Sequence, residues 1–266
     1  MKYSIGFIGA GKMGGAILSG ITREKAAPAS VLVCDARAEA LAPFVEKGFA
    51  VTGDPLDVAR QCPVIFVAVK PQDFDALLSS MAPALRKTQL VVSIAAGKTL
   101  AKMRRLLGHA PRLARVMPNL AASVGEGVMS FVMDSSATPR DRKLVESLLS
   151  CCGKAVALDE SLFDAVTALG GSGPAFFAYA LDAMAKGGEA LGFSRGDAAA
   201  IALQTMLGTA KYLKETGQDT ASFIKAVCSP HGTTEAGMKV LGRSSVAAAF
   251  AKTLAAAAKR SAELKG

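Results

Sequence analysis

Gly9-Ala10-Gly11-Lys12-Met13-Gly14 sets how everything before residue 158 is understood. The hexapeptide follows an apolar run, residues 4–8, and opens a segment with helical spacing. Between a strand and a helix the three glycines have separate jobs. One permits the tight turn, one lets backbone approach a pyrophosphate, and one lets the helix pack close to the strand. A helix starting near Lys12 aims free N–H groups and its positive dipole end at phosphate. A second apolar run, 31–34, delivers Asp35 at the distance where an acid meets the adenosine ribose. Gly9, Gly11, Lys12, Met13, Gly14 and Asp35 are therefore candidate cofactor-binding residues for a dinucleotide. Asp35 suits the 2′-hydroxyl of NADH, and Arg37 suits the 2′-phosphate of NADPH, so both cofactors stay open.

Working outward, apolar β-branched runs recur at 64–69, 90–94, 113–117 and 128–133, with helical spacing at 38–47 and 74–85. Such alternation predicts an α/β fold, a doubly wound parallel sheet covered on both faces. The unbroken apolar run 64–69 fits a central strand buried on both sides. Residues 139–151 read as a helix and 154–158 as a closing strand. After Leu158 strand-like runs give way to Ala-rich helical segments at 161–169, 174–191, 197–216, 220–227, 234–241 and 245–264. In the last, Val246, Phe250 and Leu254 recur every four residues as one apolar stripe. The expected organisation is a dinucleotide-binding domain, 1–158, followed by an all-α domain, 159–266. A helical domain this small and this rich in Ala and Leu is expected to bury faces against a second copy.

The chain has 266 residues, 51% hydrophobic and 20% charged, which excludes a disordered chain. No apolar run reaches membrane-spanning length. The first residues carry no secretory pattern, and five cysteines, two of them adjacent, fit a reducing cytoplasm. The net charge of +9 sits mostly in residues 1–158, with 20 Lys/Arg against 12 Asp/Glu. With no Trp, three Tyr and no basic run beyond Arg104-Arg105, this favours small anions over nucleic acid. His109 and His231 are the two histidines, and no Cys/His cluster has metal spacing, so no metal site is expected. Gly171-Ser172-Gly173 falls one residue short of a hydrolase nucleophile elbow.

Five further segments specify more. They are Val67-Ala68-Val69-Lys70-Pro71-Gln72, Val92-Ser93-Ile94-Ala95-Ala96-Gly97, Arg115-Val116-Met117-Pro118-Asn119, Gly171-Ser172-Gly173-Pro174-Ala175-Phe176 and Ser229-Pro230-His231-Gly232-Thr233-Thr234. In this order and spacing the chain resembles the pyrroline-5-carboxylate reductases over essentially its whole length. The resemblance implies an N-terminal Rossmann-type domain and a C-terminal helical domain that interlocks into homodimers, often assembled further. It implies reduction of 1-pyrroline-5-carboxylate to L-proline by NADPH or NADH, the last step of proline biosynthesis. It implies that Val69, Lys70, Pro71, Ala95, Ala96 and Asn119, at strand ends, also belong to the cofactor site.

Ser229 to Thr234 reads as a turn feeding a helix N-terminus, where successive amides form a nest for a carboxylate. By resemblance Ser229, Gly232 and Thr233 hold the substrate carboxylate. Thr234, hydrogen-bonded to the ring nitrogen, is the catalytic candidate. Several positions depart from the family's pattern. His231 stands where a second glycine is common, which strains the loop if φ must be positive. Pro55 replaces a usual asparagine, Gly170 a serine, and Leu120-Ala121 a Thr-Pro pair. A β-hydroxyacid dehydrogenase would need a lysine on the first long helix of the second half, where only Lys186 stands, late in the segment. A cofactor-sensing regulator would bind dinucleotide without turnover.

Overall fold

In the computed structural model the described residues are 1–108 and 110–264; His109 lies outside them. β1 (Ile5–Ile8) passes through the Gly-rich turn into α1 (Lys12–Glu24), β2 (Val31–Cys34), α2 (Ala38–Glu46), β3 (Ala50–Thr52) and α3 (Pro55–Gln61). There follow β4 (Val64–Val67), α4 (Phe74–Met81), β5 (Leu90–Ser93), α5 (Leu100–Leu107) and β6 (Arg112–Met117). β7 (Gly127–Met133), α6 (Pro139–Ser150) and β8 (Gly153–Ala157) complete the strand-bearing part. The remainder is helical: α7 (Phe163–Val166), α8 (Gly173–Ala190), α9 (Arg195–Thr216), α10 (Thr220–Val227), α11 (Thr233–Arg243) and α12 (Val246–Glu263).

The eight strands form one sheet in the order β3-β2-β1-β4-β5-β6-β7-β8. All neighbours are parallel except β6 and β7, so the expected doubly wound parallel sheet carries one antiparallel pair. A parallel return needs a crossover of a dozen residues or more. Between β6 and β7 there is only a short 3-10 turn, Leu120–Val124, and its flanking residues. The sequence runs also missed β3, three residues long and only partly buried.

Alternate residues of β4 enter opposite cores. Phe66 joins Phe7, Leu18 and Ile21 on one face, while Ile65 and Val67 join Leu78 and Met81 on the other. All three β4 residues are fully buried, as the unbroken apolar run implied. Phe7 and Phe66 stack across the β1–β4 pair with centroids 4.6 Å apart. Ile8 lies opposite both Cys34 and Val67, so β1, β2 and β4 end level. The strand order reverses between β1 and β4, and ligands of such sheets bind at that switch point.

Two compact units emerge. One is residues 1–172 with the end of α12 from Ala257; the other is Gly173–Ala256. In the first, the Ser261 hydroxyl donates to the Asp164 carboxylate at 3.0 Å. The second is built around α8 packed on α9. It leaves Phe177, Tyr179, Met184, Leu191, Leu207 and Val240 more than half exposed. An apolar groove of about 650 Å³ runs along α8 and α9. Large apolar side chains left exposed together along two helices mark an interaction surface. No helix among the described residues is long and apolar enough to cross a membrane.

Candidate active site

The glycines of the first turn differ in what surrounds them. Gly9 has φ of 104°, and a Cβ there would stand 2.5 Å from the Ala68 carbonyl oxygen. A Cβ on Gly14 would collide with the Gly9 carbonyl oxygen and meet Ala68 Cβ at 3.0 Å, so α1 passes β4 only without a side chain. Gly11 is the opposite: nothing lies within 4 Å of its missing Cβ. It is the N-cap of α1 and supplies no side-chain cap, so the first-turn amides are left for a ligand. This open, uncapped cradle fits a pyrophosphate.

A cleft of about 630 Å³ opens there, bordered by Gly9, Gly11, Asp35, Arg37, Val69 and Lys70. Lys12, Met13 and Gly14 form the first turn of α1 beside it. Pro71 is exposed and follows Lys70, while Ala95, buried, and Ala96, exposed, follow β5 at the same edge of the sheet. Gln72, the last residue of the quoted Val67–Gln72 segment, also lines the cleft, as does Gly53, which no signal in the sequence marks. Gly53 trails β3, the strand too short to recognise.

Asp35 organises the cleft mouth. Its carboxylate accepts the Ala10 amide at 2.9 Å, the Arg37 amide at 3.0 Å and Arg37 Nε at 3.2 Å. Burial works to raise this carboxyl, but the Arg37 and Ala10 amides and the guanidinium outweigh it and hold it below the ordinary value. Arg37 is 62% exposed, so water weakens its hold on Asp35 and the guanidinium can turn to another anion. Burial, with Asp35 nearby, pushes the Cys34 thiol up to about 12, which leaves it an inert wall. Pro55 lines the same cleft as the first residue of α3, behind Asp54, whose carboxylate caps the Leu56 amide at 2.8 Å. No side-chain amide stands where the family carries asparagine.

Asn119 has a structural duty. Its carboxamide oxygen accepts the Val128 amide and its nitrogen donates to the Gly170 carbonyl, both at 3.1 Å. It thereby ties the end of β6 to β7 and to the π-turn Thr167–Gly171. Only the Gly170 carbonyl enters this contact, so a glycine serves as well as a serine. Nearby Arg115, 4% exposed, pairs with Glu160 at 2.8 Å and lies 4.5 Å from the Phe163 ring centroid.

The second unit carries the Ser229–Thr234 loop. The Gly232 amide donates to the Ser229 carbonyl at 3.0 Å, closing a turn, and Gly232 is the N-cap of α11 without a side-chain cap. The Ser229 hydroxyl lies so close beneath Gly232 that any Cβ would collide with it. Gly232 therefore contributes clearance, its amide being committed. The donors left for an anion include the Ser229 hydroxyl and the Thr233 and Thr234 amides, which helix geometry leaves without intrahelical partners. His231 has φ of 61°, the one non-glycine in that region among the described residues. The strain expected of a histidine there is present. Lys186 is spent on the surface, pairing with Asp182 at 2.7 Å.

Residues 160–264 match the family model described as pyrroline-5-carboxylate reductase dimerisation, and residues 4–97 that of NADP oxidoreductase, coenzyme F420-dependent. The chain is 39% identical over 265 residues to the pyrroline-5-carboxylate reductase of Methanosarcina acetivorans, covering 99% of this chain and 98% of the relative. It superposes on a pyrroline-5-carboxylate reductase from Coxiella burnetii with a TM-score of 0.96 at 31% identity, covering both chains completely. A Plasmodium falciparum pyrroline carboxylate reductase with NADP bound gives 0.85 at 25% identity, again over both full chains. The chain belongs to the pyrroline-5-carboxylate reductase family.

Proposed function

We propose that this chain reduces 1-pyrroline-5-carboxylate to L-proline with hydride from NADPH or NADH, the first unit holding the dinucleotide and the Ser229–Thr234 loop the imino acid. The observation that carries the reading is the uncapped start of α11, with its free first-turn amides and the Ser229 and Thr234 hydroxyls close in sequence. That set matches a substrate with one carboxylate and one ring nitrogen. The amides of Thr233 and Thr234 and the Ser229 hydroxyl take the carboxylate, and the helix dipole favours its charge. Thr234 Oγ accepts the N–H of the protonated ring nitrogen. Hydride addition at the iminium carbon would turn the C=N π pair into the amine lone pair. A bound reduced nicotinamide supplies that hydride. The protein's own share is orientation and charge placement, worth several kcal/mol in such reactions.

Gly9, Gly11, Lys12, Met13 and Gly14 take the pyrophosphate end, and Asp35 and Arg37 the adenosine ribose. Val69, Lys70, Pro71, Ala95, Ala96 and Asn119 border the nicotinamide half. Residues 1–158 carry cofactor binding, and 159–266 carry substrate binding and dimerisation. The exposed apolar face of α8 and α9 supports a homodimer through the C-terminal helices, with dimers assembling further. The cytoplasm is the compartment that suits five free cysteines. Absorbance of the reduced nicotinamide, followed with 1-pyrroline-5-carboxylate and each cofactor in parallel, tests the reading. Oxidation of a hydroxyacid instead, or cofactor binding without turnover, replaces it with one of the two rivals.

A further inference from the structure

The substrate loop contains a residue in the wrong conformation for its type and a charged side chain holding it there. His231 sits at φ 61°, where glycine is free and a side chain is disfavoured. Its backbone N–H donates to Glu235 Oε2 at 2.7 Å. The other oxygen, Oε1, meets Lys239 Nζ at 2.9 Å, one helical turn on. In a common helix start the acid three residues after the N-cap takes the N-cap amide itself. Here the N-cap is Gly232, and its amide goes to the Ser229 carbonyl. The acid reaches one residue further out, to the strained one.

We propose that Glu235 is the positioning residue of the substrate loop: by gripping the His231 amide it keeps a histidine in a glycine conformation and so fixes where the Thr233 and Thr234 amides point. Without it, His231 relaxes toward negative φ. The peptide planes from 230 to 232 then turn, and the turn closed by Gly232 and Ser229 opens. Lys239 holds the carboxylate in place and offsets its charge, which would otherwise oppose an incoming substrate anion. The inference rests on the reading of Ser229–Thr234 as the substrate loop, and predicts that the demand for Glu235 disappears when residue 231 is glycine.

The test is steady-state kinetics on a set of full-length variants, with the imino acid and the reduced dinucleotide varied in turn. Glu235→Ala raises the substrate KM about tenfold and leaves the cofactor KM unchanged. Glu235→Gln, which keeps an acceptor oxygen, stays within about threefold of wild type, as does His231→Gly. The double variant Glu235→Ala/His231→Gly recovers most of the lost substrate affinity, because glycine needs no grip. An unchanged substrate KM in Glu235→Ala overturns the inference. So does a double variant no better than the single one, or a cofactor KM that rises in step. Thr234→Ala, run alongside, separates the two levels: if it too is without effect, the loop itself is not the substrate site. If Thr234→Ala is impaired and Glu235→Ala is not, only the role of Glu235 falls.

Discussion

Asp35 and Arg37 form an ion pair at 3.2 Å across the mouth of the dinucleotide cleft, and the same carboxylate holds the Ala10 amide of the Gly-rich turn. On the proposed function the two side chains would oppose each other in cofactor choice. A carboxylate repels a 2′-phosphate, and a guanidinium binds one. Asp35→Asn should therefore raise the NADPH-over-NADH ratio of catalytic efficiencies by about tenfold, and Arg37→Ala should lower it by a similar factor. Because the Asp35 carboxyl is held below its ordinary value of 3.8, it is ionised at neutral pH. Any change in the ratio at about pH 6 should therefore come from the 2′-phosphate taking up its second proton, and a change from Asp35 only below the ordinary carboxylate value. A fall in the ratio for Asp35→Asn would remove that residue from cofactor selection.

Two glycines of one motif should fail in different ways. Gly11→Ala meets open space at a φ of −71°, so thermal unfolding should stay close to wild type. Its methyl instead occupies the approach to the pyrophosphate, and the dinucleotide Kd should rise at least about tenfold. Gly14→Ala drives a Cβ into the Gly9 carbonyl, and overpacking of this kind costs about 1–3 kcal/mol. Its Tm should drop measurably, with binding lost alongside. Equal Tm values for the two variants would contradict the division of labour.

Thr234→Ala removes the hydroxyl assigned to the ring nitrogen but leaves the amides of α11. A single such hydrogen bond is worth about 1–3 kcal/mol, so catalytic efficiency toward the imino acid should fall about 10- to 100-fold. Dinucleotide affinity, measured by fluorescence titration, should not change. Wild-type turnover would take Thr234 out of the mechanism.

Four of the five cysteines are buried. Burial raises all four thiols, Cys34 and Cys62 to about 12 and Cys152 to about 11. A raised thiol pKa means protonated, unreactive sulfur at about pH 8. Native protein should show at most one fast thiol, lost in Cys228→Ser, and all five should react after unfolding. Rapid labelling of Cys34 without unfolding would mean that the cleft wall opens.

Much of the first unit was legible because its signals are local. The unbroken apolar run Val64 to Val69 fits a strand covered on both sides, and the structure buries Val64 to Val67 so, the strand ending there with Ala68 and Val69 only partly buried. The three glycines, and the strain at His231, follow from what a Cβ does to a backbone. By contrast β3 was invisible, having three residues and no fully buried side chain. The second unit was readable as helices, but its exposed Phe177, Met184 and Leu207 look like ordinary core residues in a linear chain.

Residue order made the Gly-rich turn and most of the strand and helix runs legible, and marked Ser229–Thr234 as a turn before a helix, since each rests on neighbours within a few positions. Folding settled the rest, through which groups from distant or turned-back segments claim each other's hydrogen bonds. Asn119 is committed to Val128 and Gly170, β7 runs against β6, and the Gly232 amide is taken by Ser229. The Glu235 carboxylate reaches past the N-cap to His231. A polar group has few partners to give, and only the folded chain shows where they have gone.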